Sequence, residues 1–151
     1  MNLNNKNIVI TSAVRTPIGT FNGSLKDIQA KDLGAIAIKA ALEKSNLNSE
    51  DVDEVIMGHV LTGAAGQNPA RQAAIQAGIP VEKTAYVINQ VCGSGLRSIA
   101  AGYQAIISKD SNIIIAGGQE SMTNSPHAIY FRSTKKLNET DLIDTMIKDG
   151  L

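Results

Sequence analysis

Residues 86 to 98 read Tyr86-Val87-Ile88-Asn89-Gln90-Val91-Cys92-Gly93-Ser94-Gly95-Leu96-Arg97-Ser98. An apolar, β-branched run over 86 to 91 reads as a strand and meets a Gly-Ser-Gly turn. Beyond the turn, Leu96, Ile99, Ala100, Tyr103, Ile106 and Ile107 recur at helical spacing, with alanines and Gly102 between them. So many small residues imply a helix packed closely on more than one side. The chain's one cysteine, Cys92, stands at the junction. A thiol there meets the unpaired N–H groups and the positive dipole end of a helix, which favour a thiolate. Free cysteine is more often a buried structural residue, so placement, not residue type, makes Cys92 the nucleophile candidate. It sits at the carboxyl end of a strand, where open α/β sheets hold their ligands.

Working outward, residues 8 to 14 (Ile-Val-Ile-Thr-Ser-Ala-Val) predict a buried strand, ended by Thr16-Pro17. A turn at 21 to 24 leads to a helix over 30 to 44, with Leu33, Ile36, Ala37, Ala40 and Ala41 as its apolar stripe. A polar connection over 46 to 53 precedes a short buried strand at 55 to 58. The glycine-rich loop 62 to 68 ends in Asn68, a helix cap with Pro69 at the first helical position. That helix runs to about residue 77, where Gly78 and Pro80 stop it. Residues 112 to 118 form a further strand. Strands alternating with helices predict an α/β fold with a largely parallel sheet. Residues 121 to 136 are polar and aperiodic. Residues 139 to 149 predict an amphipathic helix with Leu142, Ile143, Met146 and Ile147 on one face. No repeat or low-complexity segment is visible.

At 151 residues, 43% hydrophobic and 19% charged, the chain is long enough for one cored domain. Lys+Arg and Asp+Glu balance at 14 each, so no net field recruits nucleic acid or an anionic membrane. One cysteine excludes an internal disulfide framework, and no His, Cys, Asp or Glu cluster has metal-ligand spacing. No targeting segment is evident, and the apolar runs fall short of the roughly 20 residues of a membrane helix. The expected setting is soluble, reducing and cytoplasmic, with no cofactor.

Competing motifs around Cys92 fail. Gly93-Ser94-Gly95 opens like a dinucleotide fingerprint, but Ser98 stands at the third glycine position and no Asp follows at the required distance. A Gly-x-Ser-x-Gly elbow fails because Cys92 and Leu96 occupy its glycine positions. His59 and His127 are candidate bases for Cys92, although each reads first as a solvated or hydrogen-bonded structural histidine. Arg71 and Arg97 read as surface or interface charges, with a phosphate contact as the lesser alternative. Gly117-Gly118-Gln119-Glu120-Ser121-Met122 reads as a turn or a backbone-approach loop.

Together these segments resemble the thiolases. Asn89-Gln90-Val91-Cys92-Gly93-Ser94-Gly95-Leu96-Arg97 is similar to their acyl-enzyme signature. In the family's order stand Ser12-Ala13-Val14-Arg15-Thr16-Pro17-Ile18-Gly19, Gly66-Gln67-Asn68-Pro69-Ala70-Arg71-Gln72-Ala73-Ala74 and Ala116-Gly117-Gly118-Gln119-Glu120-Ser121-Met122. Residues 143 to 151, Ile-Asp-Thr-Met-Ile-Lys-Asp-Gly-Leu, resemble the loop domain of short-chain, acetoacetyl-CoA members. The resemblance implies a thiolase-like amino-terminal half: a core domain over 1 to 120, with a mainly parallel mixed sheet and packed helices, and the start of a CoA-binding loop domain over 121 to 151. It implies condensation of two acetyl-CoA to acetoacetyl-CoA, or the reverse thiolysis, through an acyl group on Cys92. The Cys92 backbone N–H would serve the oxyanion site, and Leu151 matches a substrate-binding position near the pantetheine channel. Acetyl-CoA, acetoacetyl-CoA and CoA would be its substrates and products, and a homodimer or tetramer its assembly.

Three departures qualify this. Family members are about twice as long, and their second half supplies a Gly-His-Pro histidine and a second cysteine. Neither is present here: His127 lies in Ser-Pro-His-Ala, and Cys92 is alone. Gln119 stands where methionine is common. The expectation is an amino-terminal fragment that does not complete the cycle alone. A truncated, non-catalytic half-protein and a condensing enzyme acting on carrier-protein thioesters are the competing readings.

Overall fold

The computed structural model describes residues 7–130, 132 and 141–151. Its centre is a parallel three-stranded sheet of order β2-β1-β3, formed by β1 (Glu54–Gly58), β2 (Thr84–Ile88) and β3 (Ile114–Gly118). β1 lies in the middle, with Val55 opposite Ala85 and Ile115, and Gly58 opposite Ile88 and Gly118. The expected α/β architecture is therefore present, with the strand bounds displaced by up to three residues from those predicted.

Alternation along the strands assigns the two faces. Val55 and Met57 point to one side, where Ala85, Val87, Ile113 and Ile115 join them. That side is covered by α1 (Ala30–Ser45) and α2 (Pro69–Gln76) through Ala35, Ile38, Leu42, Ala70, Ala73, Ala74 and Ala77. On the opposite side α3 (Ser94–Ser108) lies against Ile114 and Ala116, which a Cβ at Gly102 would touch. The result is helices, sheet, helix in three layers. No helix among the described residues is long and apolar enough to cross a membrane.

Local chemistry sets the element ends. Asn68, at φ +46°, caps α2 by accepting from Arg71 N at 3.1 Å, and its amide donates to Ala85 O at 2.8 Å. Pro69 follows at the first helical position, as expected. Asp53, just before β1, accepts from Asn112 N at 2.7 Å and Ile113 N at 3.1 Å, which fixes where β3 begins.

Four expectations change. Residues 8 to 14 form no strand: the segment pairs with none among the described residues, and Val9 and Ile10 are exposed. Its β-branched residues favour an extended backbone, but a strand needs a neighbouring ladder. The buried face of α1 is Ala30, Gly34, Ala35, Ile38 and Leu42, about one position round from the predicted stripe, and Ile36 is exposed. α3 turns its small residues Ser94, Ser98 and Gly102 to the sheet, leaving Leu96, Ile99, Tyr103 and Ile107 exposed. Finally, the helix expected over 139 to 149 begins in residues that lie outside those described. From 143 onward there is a strand, β5 (Ile143–Asp144), antiparallel to β4 (His127–Ala128), then a π-helical turn at Met146–Gly150.

Two outcomes test this packing. Ile38, 1% exposed, and Ile36, 56% exposed, share α1. Ile38→Ala is expected to cost about 2–5 kcal/mol in urea denaturation, and Ile36→Ala within about 0.5 kcal/mol of zero. Asp53 supplies the second. The N–H groups of Asn112 and then Ile113 hold its carboxyl below the ordinary 3.8. A depressed folded value adds stability that is present above the unfolded pKa and lost as pH falls through the folded one. Asp53→Asn keeps one acceptor oxygen but does not titrate, so its melting temperature should fall less steeply with acidification below about pH 4.

Candidate functional site

β2 ends at Ile88, and the next five residues make the turn that presents Cys92. The turn's unusual residue is Val91, at φ +48°. A β-branched side chain in left-handed conformation is a steric outlier, costing of order 1–3 kcal/mol. Hydrogen bonds hold it there. Val91 N–H donates to Asn89 Oδ1 at 3.0 Å. Val91 O accepts from Ser94 N at 3.0 Å and from the Ser94 hydroxyl at 2.6 Å. Ser94 Oγ accepts in turn from Gln90 N at 2.8 Å, and Gly93 N donates to Gln90 O at 3.1 Å. Each such bond contributes about 0.5–1.5 kcal/mol, so together they can offset the strain. Cys92 is left exposed beside the start of α3.

The first turn of α3 rests on the sheet at backbone distance. Gly58 and Gly118 are register partners at the carboxyl ends of β1 and β3. A Cβ on Gly58 would fall 2.5 Å from Gly95 N, and one on Gly118 would fall 3.3 Å from Gly95 Cα. One turn on, the Ser98 hydroxyl lies 2.6 Å from both Gly95 O and Gly117 O, donating to one at a time. Glycine in both strands, and small residues on α3, are what bring the helix start this close.

Behind the seam lies a buried polar group. His59 is 2% exposed, with Nε2 3.3 Å from Glu120 Oε1 and Nδ1 3.5 Å from the Gln119 side-chain nitrogen. The Glu120 carboxylate also accepts from Val60 N at 2.8 Å and Leu61 N at 3.2 Å. Burial pushes this carboxyl's pKa up most strongly, but bonds from His59, Val60 and Leu61 outweigh it and hold the pKa below the ordinary 4.5. Gln119 Oε1 is buried with no hydrogen-bond partner among the described residues, close to the backbone of Gly34.

The remaining candidates fall as follows. His127 is on β4, its Nε2 4.0 Å from Asp144 Oδ2 across the short ladder. Arg71 is not a free surface charge: its guanidinium donates to Lys83 O and Val81 O, tying the loop before β2 to α2. Arg97 is exposed on α3. Leu151 is exposed too, while the adjacent Gly150 lies against Leu61, beside the Glu120 group. Among the described residues no three His, Cys, Asp or Glu side chains gather to hold a metal. Asn89, Glu120 and Val91 were not singled out for these roles from sequence. The one available signal was Asn89, two residues before a residue whose N–H an Asx turn would satisfy.

Known proteins can be set beside this geometry. Residues 8–151 match the family model described as thiolase, N-terminal domain. An acetyl-CoA acetyltransferase of Rhizobium meliloti is 53% identical over 149 residues, 99% of this chain and 38% of that protein. The cytosolic acetyl-CoA acetyltransferase of Rattus norvegicus is 44% identical over the whole chain, again 38% of the relative. The crystal structure of Acat5 thiolase from Ascaris suum in complex with coenzyme A superposes with a TM-score of 0.90 at 40% identity, covering 94% of this chain and 37% of that one. The chain thus spans well under half the length of the relatives it matches.

The glycine seam makes a direct prediction. Gly58→Ala meets backbone that no rotamer change can clear, and should cost about 1–3 kcal/mol or more. Gly95→Ala, whose Cβ meets nothing within 4 Å, should be neutral or stabilising by about 1 kcal/mol or less, as alanine is favoured over glycine in a helix. Thermal melts of the two variants check the contrast.

Proposed function

The chain belongs to the thiolase family, and from that premise we propose that Cys92 is the acyl-carrying nucleophile of a transfer between coenzyme A thioesters. One observation carries the reading: the single cysteine is exposed at the start of α3, beyond the carboxyl end of a central β-layer. The names of its relatives, acetyl-CoA acetyltransferases, support acetyl as the group transferred. We assign residues 1 to 120 to the core domain and 121 to 151 to the beginning of the CoA-binding loop domain.

In the proposed reaction the Cys92 thiolate attacks the thioester carbonyl of acetyl-CoA. The bond from carbonyl carbon to the CoA sulfur breaks, CoA leaves as its thiolate and takes up a proton, and acetyl remains on Sγ. A second acetyl-CoA, having lost a methyl proton, attacks that acetyl carbon; Sγ leaves and acetoacetyl-CoA forms. Thiolysis is the reverse. Thiolates suit both directions because they attack and leave well. The oxyanion of each tetrahedral state needs backbone donors. Gly93 and Ser94 N–H are engaged by Gln90 O and Val91 O, which favours Cys92 N–H for that role. Leu151 is proposed to contact the pantetheine arm.

Neither a Gly-His-Pro histidine nor a second cysteine occurs in these 151 residues. His59 is committed to Glu120. We therefore propose that the chain by itself accepts an acetyl group but does not turn over. The exposed stripe of Leu96, Ile99, Tyr103 and Ile107 supports the companion reading, a half-protein that needs a partner surface over α3.

Intact-mass analysis after incubation with acetyl-CoA tests this. One acetyl group is expected on the native chain and none on Cys92→Ala, with no sustained acetoacetyl-CoA cleavage by either. Acetylation that persists in Cys92→Ala would remove the nucleophile assignment. Steady turnover by the 151-residue chain would remove the claim of incompleteness.

A further inference from the structure

A line of hydrogen bonds runs from the buried His59 group to the residue before the nucleophile. The peptide joining Val60 and Leu61 is gripped at both ends: its N–H donates to Glu120 Oε1 at 3.2 Å, and its carbonyl, Val60 O, accepts from Asn89 Nδ2 at 3.4 Å. The other end of the Asn89 amide, Oδ1, accepts from Val91 N at 3.0 Å. Val91 is the strained residue at φ +48°, and Cys92 follows it. Both ends of Asn89 are thus engaged, which settles the orientation of its amide.

We infer that Asn89 and Glu120 are positioning residues for Cys92, acting as a latch that holds Val91 in its left-handed conformation. The inference rests on the reading of Cys92 as the acyl acceptor. A valine released from the latch relaxes toward the β region, where β-branched residues are at ease. That rotation swings the following residue, so the thiol leaves its place at the start of α3. Glu120 acts at one remove. Its carboxylate is fixed by His59 Nε2 and by Val60 N, and it orients the Val60–Leu61 peptide whose carbonyl faces Asn89. A dipole held at both ends polarises along the line, so the bonds strengthen one another. Asn89 itself is exposed and outside the core, so its role is separable from folding. A side chain whose only task was solvation would leave Cys92 unmoved when lost.

The test reads Cys92 directly. Second-order alkylation of the thiol by iodoacetamide is measured across a pH series for the native chain, Asn89→Ala, Glu120→Gln and the double variant Asn89→Ala with Val91→Asn. Asparagine adopts the left-handed conformation without the penalty valine carries, so it replaces the latch. Asn89→Ala and Glu120→Gln are expected to slow alkylation about fivefold, the factor one neutral hydrogen bond sets. The double variant is expected to return to within about twofold of native on the same scale. Native rates in Asn89→Ala at every pH, or no recovery in the double variant, overturn the inference. Should Glu120→Gln fail to fold, the Asn89 pair still decides. Iodoacetamide needs no acyl chemistry, so the two readings fail separately. Native-rate alkylation in Asn89→Ala sinks the latch alone. A native Cys92 that acetyl-CoA never labels, with alkylation still slowed in Asn89→Ala, sinks the acyl-transfer reading alone.

Discussion

The arrangement depends on a contact between backbones. Gly58 and Gly118 end neighbouring strands at the same level, and the first turn of α3 rests on them with no side chain between. Any Cβ at Gly58 would lift the helix start, and with it the turn at 89 to 93. The parallel register of β1 and β3 is therefore part of the site, because it brings the two glycines opposite each other. Asp53, at the far end of the same strand pair, helps set that register through its bonds to Asn112 and Ile113.

Against this fixed floor the turn holds a local conflict. Val91 occupies a conformation that its side chain resists, and Asn89, Gln90 and Ser94 supply the bonds that keep it there. Strain of this kind persists where surrounding structure over-determines it, and functional turns are where it concentrates. Ser94 does two jobs at once: its hydroxyl ties the turn together and its small size lets α3 sit on the sheet. A larger residue there would undo both.

The sequence revealed element types more readily than element faces. Strands β1 to β3 and helices α1 to α3 were legible because periodicity and caps such as Asn68-Pro69 are local signals. The face of α3 was misplaced because its contacts with the sheet are made by Ser94, Ser98 and Gly102, and that of α1 was off by about one position because Gly34 and Ala35 share its buried side with Ile38 and Leu42. Small residues carry little weight in an apolar stripe, yet they are what close packing selects. Residues 8 to 14 misled because propensity reports an extended backbone and not a pairing partner. At the site, Cys92 was legible as the sole cysteine between a strand and a helix. Glu120 was not, because it meets Val60 and Leu61 across some 60 positions of sequence. Val91 pointed the wrong way, since a β-branched residue argues for strand.

α3 has one face of small residues against the sheet and another of large apolar ones toward water. The attraction between such bare faces is largely entropic near room temperature and fades on cooling, whereas the hydrogen bonds around Cys92 do not share that dependence. Temperature therefore acts on the two sides of this helix unequally. Cooling weakens any apolar contact the outward stripe makes, while the hydrogen bonds of the turn are spared that loss.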